Sequence, residues 1–207
     1  MVITYHGAAF CKASQGDTTI ALSPVGKGAA KTVSKSGADI ALIPAALPEY
    51  NGIDTVTLGA KTPFAITGPG EYEVGGIIIH GFASTGIEGT INTIYTVIWD
   101  DITLCHLGAL GDVTLTPSVL EDMGEVDVLL IPVGYDGAPA PRDLIHLAKH
   151  LEPKIIIPLP GGASISDASF ETFLKELSSR PDPVERYTFK KRDLEGKNGD
   201  AIILAGV

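Results

Sequence analysis

Residues 38–43 read Ala-Asp-Ile-Ala-Leu-Ile, a nearly continuous apolar run of strand length. Strict alternation would mark a strand with one wet face, whereas a run of this kind is buried on both. The chain must therefore fold so that at least one sheet is covered on each side. Short β segments precede the run, over residues 2–5, 8–14 and 18–23. They are rich in Ile, Val, Thr and Phe and are punctuated by Gly7 and the Gln15-Gly16-Asp17 turn. Two hairpins follow it. One turns at Gly75-Gly76 between EYEV and IIIHGF, the other at Asp100-Asp101 between NTIYTVIW and ITLCHL.

Helices enter only in the second half. Thr116-Pro117 supplies an N-cap and a proline at the first helical position for a helix over 116–123. The strand DVLLIPV comes next, then a helix over about 141–151 and the strand KIIIPL. Asp167 caps a helix over 167–179 that carries Phe170, Phe173, Leu174 and Leu177 on one face. Closing strands are expected near 184–189 and 200–204. Strands first and helices interposed late predict an α/β or α+β fold of two mixed sheets with helices outside. At 207 residues, one domain over 1–207 is the expected organisation.

Charge narrows the partners. A formal net charge of −10 repels polyanions, so neither nucleic acid nor an anionic membrane is expected. The basic cluster of Arg186, Lys190, Lys191 and Arg192 is interrupted by Tyr187 and Phe189 and reads as a solvated strand face. The N-terminal MVITYHG lacks the basic start and apolar run of a secretory signal. No apolar stretch approaches the roughly 20 residues of a membrane span. Cys11 and Cys105 fall in apolar segments and read as reduced core fillers, so a cytoplasmic location is expected.

Taken in order, GPGEYEVGGI, NTIY, LCHLGALG, VDVLLIPVG and EPKIIIPL resemble the metallo-β-lactamase superfamily, in particular its lactonase-like branch of small metal-dependent hydrolases. ITYHGAAF and AIIL fit that family's first and last strands, so the resemblance spans essentially the whole chain. It implies an αββα sandwich with its active site at the edge where the loops of the two sheets meet. Such hydrolases hold one or two metal ions, usually zinc, with five histidines and two aspartates. The metals lower the pKa of a bound water to give hydroxide.

The ligands that the resemblance implies are missing from this sequence. In the H-x-H-x-D-H signature after the buried strand, the first two histidines fall on Ala45 and Leu47, the aspartate on Glu49 and the last histidine on Tyr50. The next histidine belongs in the loop after IIIHGFA, where Ser84, Thr85 and Gly86 stand. The bridging aspartate falls on Ala109, within HLGALG. The final histidine, P-M-H in the family, belongs where this chain reads Pro158-Leu159-Pro160. The expected cofactor is none, because alanine, leucine and proline donate nothing to a metal. The candidate remnant pocket is Ala45, Leu47, Tyr50, Ala109 and Pro160, with Glu49, Ser84 and His106 as polar points.

The remaining motifs read more plainly. His146 and His150 have the i, i+4 spacing of a zincin pair, but Leu147 stands in place of the zincin glutamate, so they read as a solvated helix face. His6, His80 and His106 read as structural histidines, with His6 and His106 nearest the implied site. VGKGAAKT fails as a phosphate loop, because Ala30 and Val25 replace the glycines required before Lys31. The sequence thus favours a non-catalytic scaffold that binds a small molecule or a protein, a second copy of the chain included. The alternative is a hydrolase with a displaced site, its zinc held by His6, His106, Glu49, Asp112 or Asp136.

Overall fold

The structure is a computed structural model that describes residues 1–30, 32–161 and 167–206. Lys31, from the rejected phosphate loop, lies outside the described residues. Strands are Val2–Gly7 (β1), Phe10–Gln15 (β2), Thr18–Leu22 (β3), Ile40–Leu42 (β4), Phe64–Ile66 (β5), Gly70–Val74 (β6), Ile77–Thr85 (β7), Ile91–Trp99 (β8) and Ile102–His106 (β9). After these come Pro117–Met123 (α1), Val128–Val133 (β10), Pro141–His150 (α2), Ile155–Pro160 (β11), Ala168–Glu176 (α3), Tyr187–Thr188 (β12) and Asp200–Ala201 (β13).

The strands form two mixed sheets, ordered β12-β1-β2-β3-β4-β5 and β13-β11-β10-β9-β8-β7-β6. In the first, β12 to β3 pair antiparallel and β3 to β5 parallel. In the second, β6 to β9 pair antiparallel, and β9, β10, β11 and β13 parallel. The change of sense follows the sequence. Two-residue turns join β6 to β7 and β8 to β9, and residues 86–90 join β7 to β8, while crossovers through α1 and α2 join β9 to β10 and β10 to β11. Gly75 and Gly76 both take positive φ, and so do Asp100 and Asp101, as a type I′ turn requires.

Side-chain alternation builds the layers. Ile3, Ile20, Leu22, Ile40 and Leu42 of the first sheet meet Ile79, Val97, Leu104, Val128 and Leu130 of the second in the inter-sheet core. The other face of β10, carrying Leu129, Ile131 and Val133, is covered by Leu144 and Ala148 of α2 and by Phe170 and Phe173 of α3. Ala21, Ala41 and Ile43 face outward from the first sheet and are covered by Val25, Ala38 and Val56 from irregular segments. The apolar run at 38–43 is thus buried on both sides. Two phenols cross between the sheets: Tyr5 of β1 donates to the Pro160 carbonyl (2.9 Å), and Tyr95 of β8 faces the carbonyls of Ile43 (3.0 Å) and Ile66 (3.1 Å).

Several expectations change in detail. Asp167 caps α3 by accepting from the Ser169 and Phe170 amides, but the helix ends at Glu176, because Ser178 takes φ +56° and Pro181 follows. The strand expected over 184–189 is only Tyr187–Thr188, paired with Ile3 and Val2. The basic cluster is not one solvated face. Lys191 reaches the buried Asp127 (2.7 Å), which also binds Lys154 (2.6 Å) and the Thr103 amide (2.8 Å). Cys11 and Cys105 are free and buried, in separate core clusters. No helix of the described residues is long and apolar enough to cross a membrane.

Candidate functional site

The segments that follow β4, β9 and β10 meet the β7–β8 turn and the end of β11 at one sandwich edge. Backbone hydrogen bonds join them: Thr93 N–H donates to Pro44 O (2.8 Å), Ile87 N–H to Ala109 O (2.9 Å) and Gly111 N–H to Thr85 O (2.9 Å). At their centre is Tyr50, 1% exposed, clustered with Ala9, Ala45 and Ala109. Leu47, Ile87 and Tyr135 pack around it as a half-buried rim. The Tyr50 and Tyr135 rings lie 6.3 Å apart at 43°. Burial, and next the charge of Glu49, raise the Tyr50 pKa and keep its phenol neutral. Pro160 closes the back, its carbonyl accepting from Tyr5 (2.9 Å) and Tyr135 (3.4 Å).

His106 is bound on both ring nitrogens. Nδ1 accepts the Gly108 amide (2.8 Å), so the proton sits on Nε2, which donates to Ala9 O (3.0 Å). Burial depresses its pKa to about 4, against the opposing effect of the Ala9 bond. Neutral and enclosed, it holds the 107–109 bend against the β1–β2 turn. Gly108 sits in that bend at φ +64°, where a Cβ would lie 2.4 Å from Asn92 Oδ1 and 2.6 Å from Pro44 Cβ. The fully buried Asn92 completes the brace. Its amide donates to Leu107 O (2.9 Å) and Ser84 Oγ (2.8 Å), and its carbonyl accepts the Ala109 amide (2.7 Å).

The structure therefore brings together Ala45, Tyr50 and Ala109, with Leu47 at the rim and Pro160 behind. It does not bring all the polar points into that space. His106 is consumed by backbone groups, and Ser84 is held by Asn92. Glu49 is half-buried, and Asp112 and Asp136 are exposed. Asp112 caps its own loop through the Thr114 amide (2.8 Å). His6 stacks on Phe10 at 4.8 Å, its pKa lowered to about 4 by burial and then by Lys12. Sequence reading missed Asn92, Tyr135, Tyr5 and Ala9. Tyr135 carried a signal, since it directly follows the VLLIPVG strand.

A metal fits this donor set poorly. Ala45, Leu47 and Ala109 have no donor atom, Pro160 offers only a carbonyl already bonded, and Tyr50 is held as a phenol. Among the described residues, no three His, Cys, Asp or Glu side chains are grouped to hold an ion.

A family profile described as "Beta-lactamase superfamily domain" matches residues 2–160. A UPF0173 protein of Pyrococcus furiosus is 37% identical over 71 residues, 34% of this chain and 33% of that protein. One of Pyrococcus abyssi is 26% identical over 110 residues, 53% of this chain and 50% of that protein. The chain thus spans a third to a half of the length of these curated relatives. Among solved structures, a candidate Zn-dependent hydrolase of the metallo-β-lactamase superfamily from Thermotoga maritima aligns with a TM-score of 0.75 at 24% identity. The alignment covers 98% of this chain and 97% of that one. A candidate metal-dependent hydrolase from Parabacteroides distasonis aligns at 0.66 and 15%, covering 99% and 93%. A metallo hydrolase from Ignicoccus hospitalis aligns at 0.66 and 14%, covering 100% and 96%. These likenesses establish the fold as the αββα sandwich expected. They also correct the expectation of a chain without a cofactor, since the names of these neighbours point to metal use within the fold.

Proposed function

From the premise that this chain belongs to the β-lactamase superfamily, its profile matched over residues 2–160, we propose that it is a binding scaffold built on a hydrolase fold, one domain over 1–207. The reading rests on Tyr50. A side chain of that size occupies the centre of the edge where the loops meet, and its neighbours there are Ala9, Ala45 and Ala109. Apolar replacements at a partly buried edge also avoid stranding unsatisfied polar groups, at about 1–3 kcal/mol each. The half-buried rim of Leu47, Ile87 and Tyr135 is the surface offered to a ligand, with the half-buried Glu49 as its charged point. Its expected ligand is a small molecule or another protein, a second copy included, within the cytoplasm.

A second reading is favoured by the neighbours' names: a metal-dependent hydrolase acting through a displaced site. One experiment separates the two. Turnover of β-lactams, lactones and phosphodiesters is measured with and without added zinc, on the wild type, Glu49→Ala and Tyr50→Ala. The scaffold reading expects turnover equal to the blank throughout, and altered ligand-induced thermal shifts in Tyr50→Ala. Chelator-sensitive turnover that disappears in Glu49→Ala would refute it and establish the hydrolase.

A further inference from the structure

Helix α2 packs Leu144, Ile145, Leu147 and Ala148 into the helix–sheet core and leaves Asp143, His146 and His150 exposed. The three exposed residues form one wall of a surface groove, with Val113, Leu115 and Leu120 opposite. Residues four apart on a helix are neighbours, with Cβ atoms about 5–6 Å apart. Imidazole nitrogens bind a borderline divalent ion at about 2.0–2.1 Å, so two of them converge on one ion from this spacing by side-chain rotation alone. Neither imidazole is committed to a hydrogen bond or ion pair among the described residues. Leu147 between them points inward, and the groove keeps the remaining coordination positions open to water or to an incoming donor.

We propose that His146 and His150 form a two-histidine site for a borderline divalent cation, with Asp143 one turn earlier supplying negative charge. Arg142 and Lys149 on the same helix oppose that charge, which sets the site among labile ones. No third donor is grouped there to close the shell, so water completes it. Imidazole ligands with no geometric cage follow the general order of divalent affinities, with Cu²⁺ strongest, ahead of Ni²⁺ and Zn²⁺. The site lies on the outer helix layer and is independent of the reading given for the sheet edge.

The test uses the full chain without an affinity tag, titrated with Cu²⁺ and Ni²⁺ by calorimetry, with electron paramagnetic resonance on the Cu²⁺ form. One Cu²⁺ per chain with nitrogen hyperfine structure is expected. H146A and H150A each remove one of the two protein ligands and should weaken binding by at least the roughly tenfold that follows loss of a ligand's outer-shell partner. The double variant should abolish it, while H80A on β7 and E49A leave it unchanged. All the substituted histidines on α2 are exposed, so the melting temperature should stay at the wild-type value. Absence of saturable binding in the wild type, or binding that survives the double variant, would overturn the proposal. Loss in E49A with retention in the double variant would also overturn it, by moving the ion to the sheet edge.

Discussion

Lowering the pH from 7.5 to 5 should destabilise this protein through His106, well before its carboxylates are titrated. The ring is 1% exposed, with its folded pKa depressed to about 4, against 6.5 when unfolded. As the pH falls below 6.5 the unfolded chain takes up a proton that the folded ring refuses. The contribution is therefore complete above about pH 6.5, is lost progressively down to about pH 4, and is constant below. Linkage gives about 2 kcal/mol lost by pH 5, and about 3 kcal/mol at the limit. That loss corresponds to a fall in Tm of about 4–8 °C for a chain of this size. His6 acts with the same sign but is half exposed, so solvent screening makes its part smaller. Asp39 and Asp127 have lowered pKa values, and their contributions fade only below the ordinary carboxylate range. Urea unfolding followed by the single Trp99, which is 6% exposed, reads the difference directly. His106→Leu should be less stable at pH 7.5, with Ala9 O and Gly108 N–H unpaired, yet lose little further stability by pH 5. A wild type equally stable at both pH values, or a variant with the wild-type slope, would refute the reasoning.

Three further substitutions test two braces of the site and one ion-paired anchor at the opposite end of the sandwich. Gly108→Ala forces a Cβ into Asn92 and Pro44 at a positive φ, and should cost about 2 kcal/mol or more in chemical denaturation. Asn92→Ala leaves the Ala109 amide and Leu107 carbonyl without partners and should cost about 2–4 kcal/mol. Faster hydrogen exchange at Ala109 is the local readout. Asp127→Asn weakens the anchors of Lys154 and Lys191, and should cost about 1–3 kcal/mol at pH 7, with the half-exposed lysine ends screened by water. The gap from the wild type should close only as the pH falls below the ordinary carboxylate range, where the native Asp127 also loses its charge. A gap independent of pH would show that the charge is not what matters.

Periodicity and turn chemistry carried much of the fold. Gly75-Gly76 and Asp100-Asp101 mark hairpins because few residues accept two successive positive φ values, and Thr116-Pro117 marks a helix start by its own chemistry. Ala45, Tyr50 and Ala109 were legible as one site only through the order of family motifs, since 64 positions separate Ala45 from Ala109 along the chain. What could not be read is what tertiary contact decides. Asn92 looks like an ordinary polar residue at a strand start until Leu107 and Ala109 arrive beside it. Asp112 and Asp136 sit in loops whose course no pattern encodes, and both turn to solvent. β5 is three residues long and exists through its pairing with β4.

The phenols of Tyr5 and Tyr95 have a mechanical consequence. Two apolar sheet faces held by packing alone can slip past each other at modest cost, because hydrocarbon contacts lack direction. A hydroxyl bonded across the interface has direction, and here each sheet sends one. Tyr5 grips the end of β11, and Tyr95 grips the chain where β4 and β5 end. Both bolts lie toward the edge that carries Tyr50 and Pro160. Sliding or splaying of the sandwich at that end must break them, whereas the opposite end, around Trp99 and Ile102, is bridged by groups that water reaches, Gln15 with Asp100 and the half-exposed Lys191 with Asp127. Under load or denaturant the sandwich should open from that far end, and the Tyr50 edge should be the last part to lose its shape.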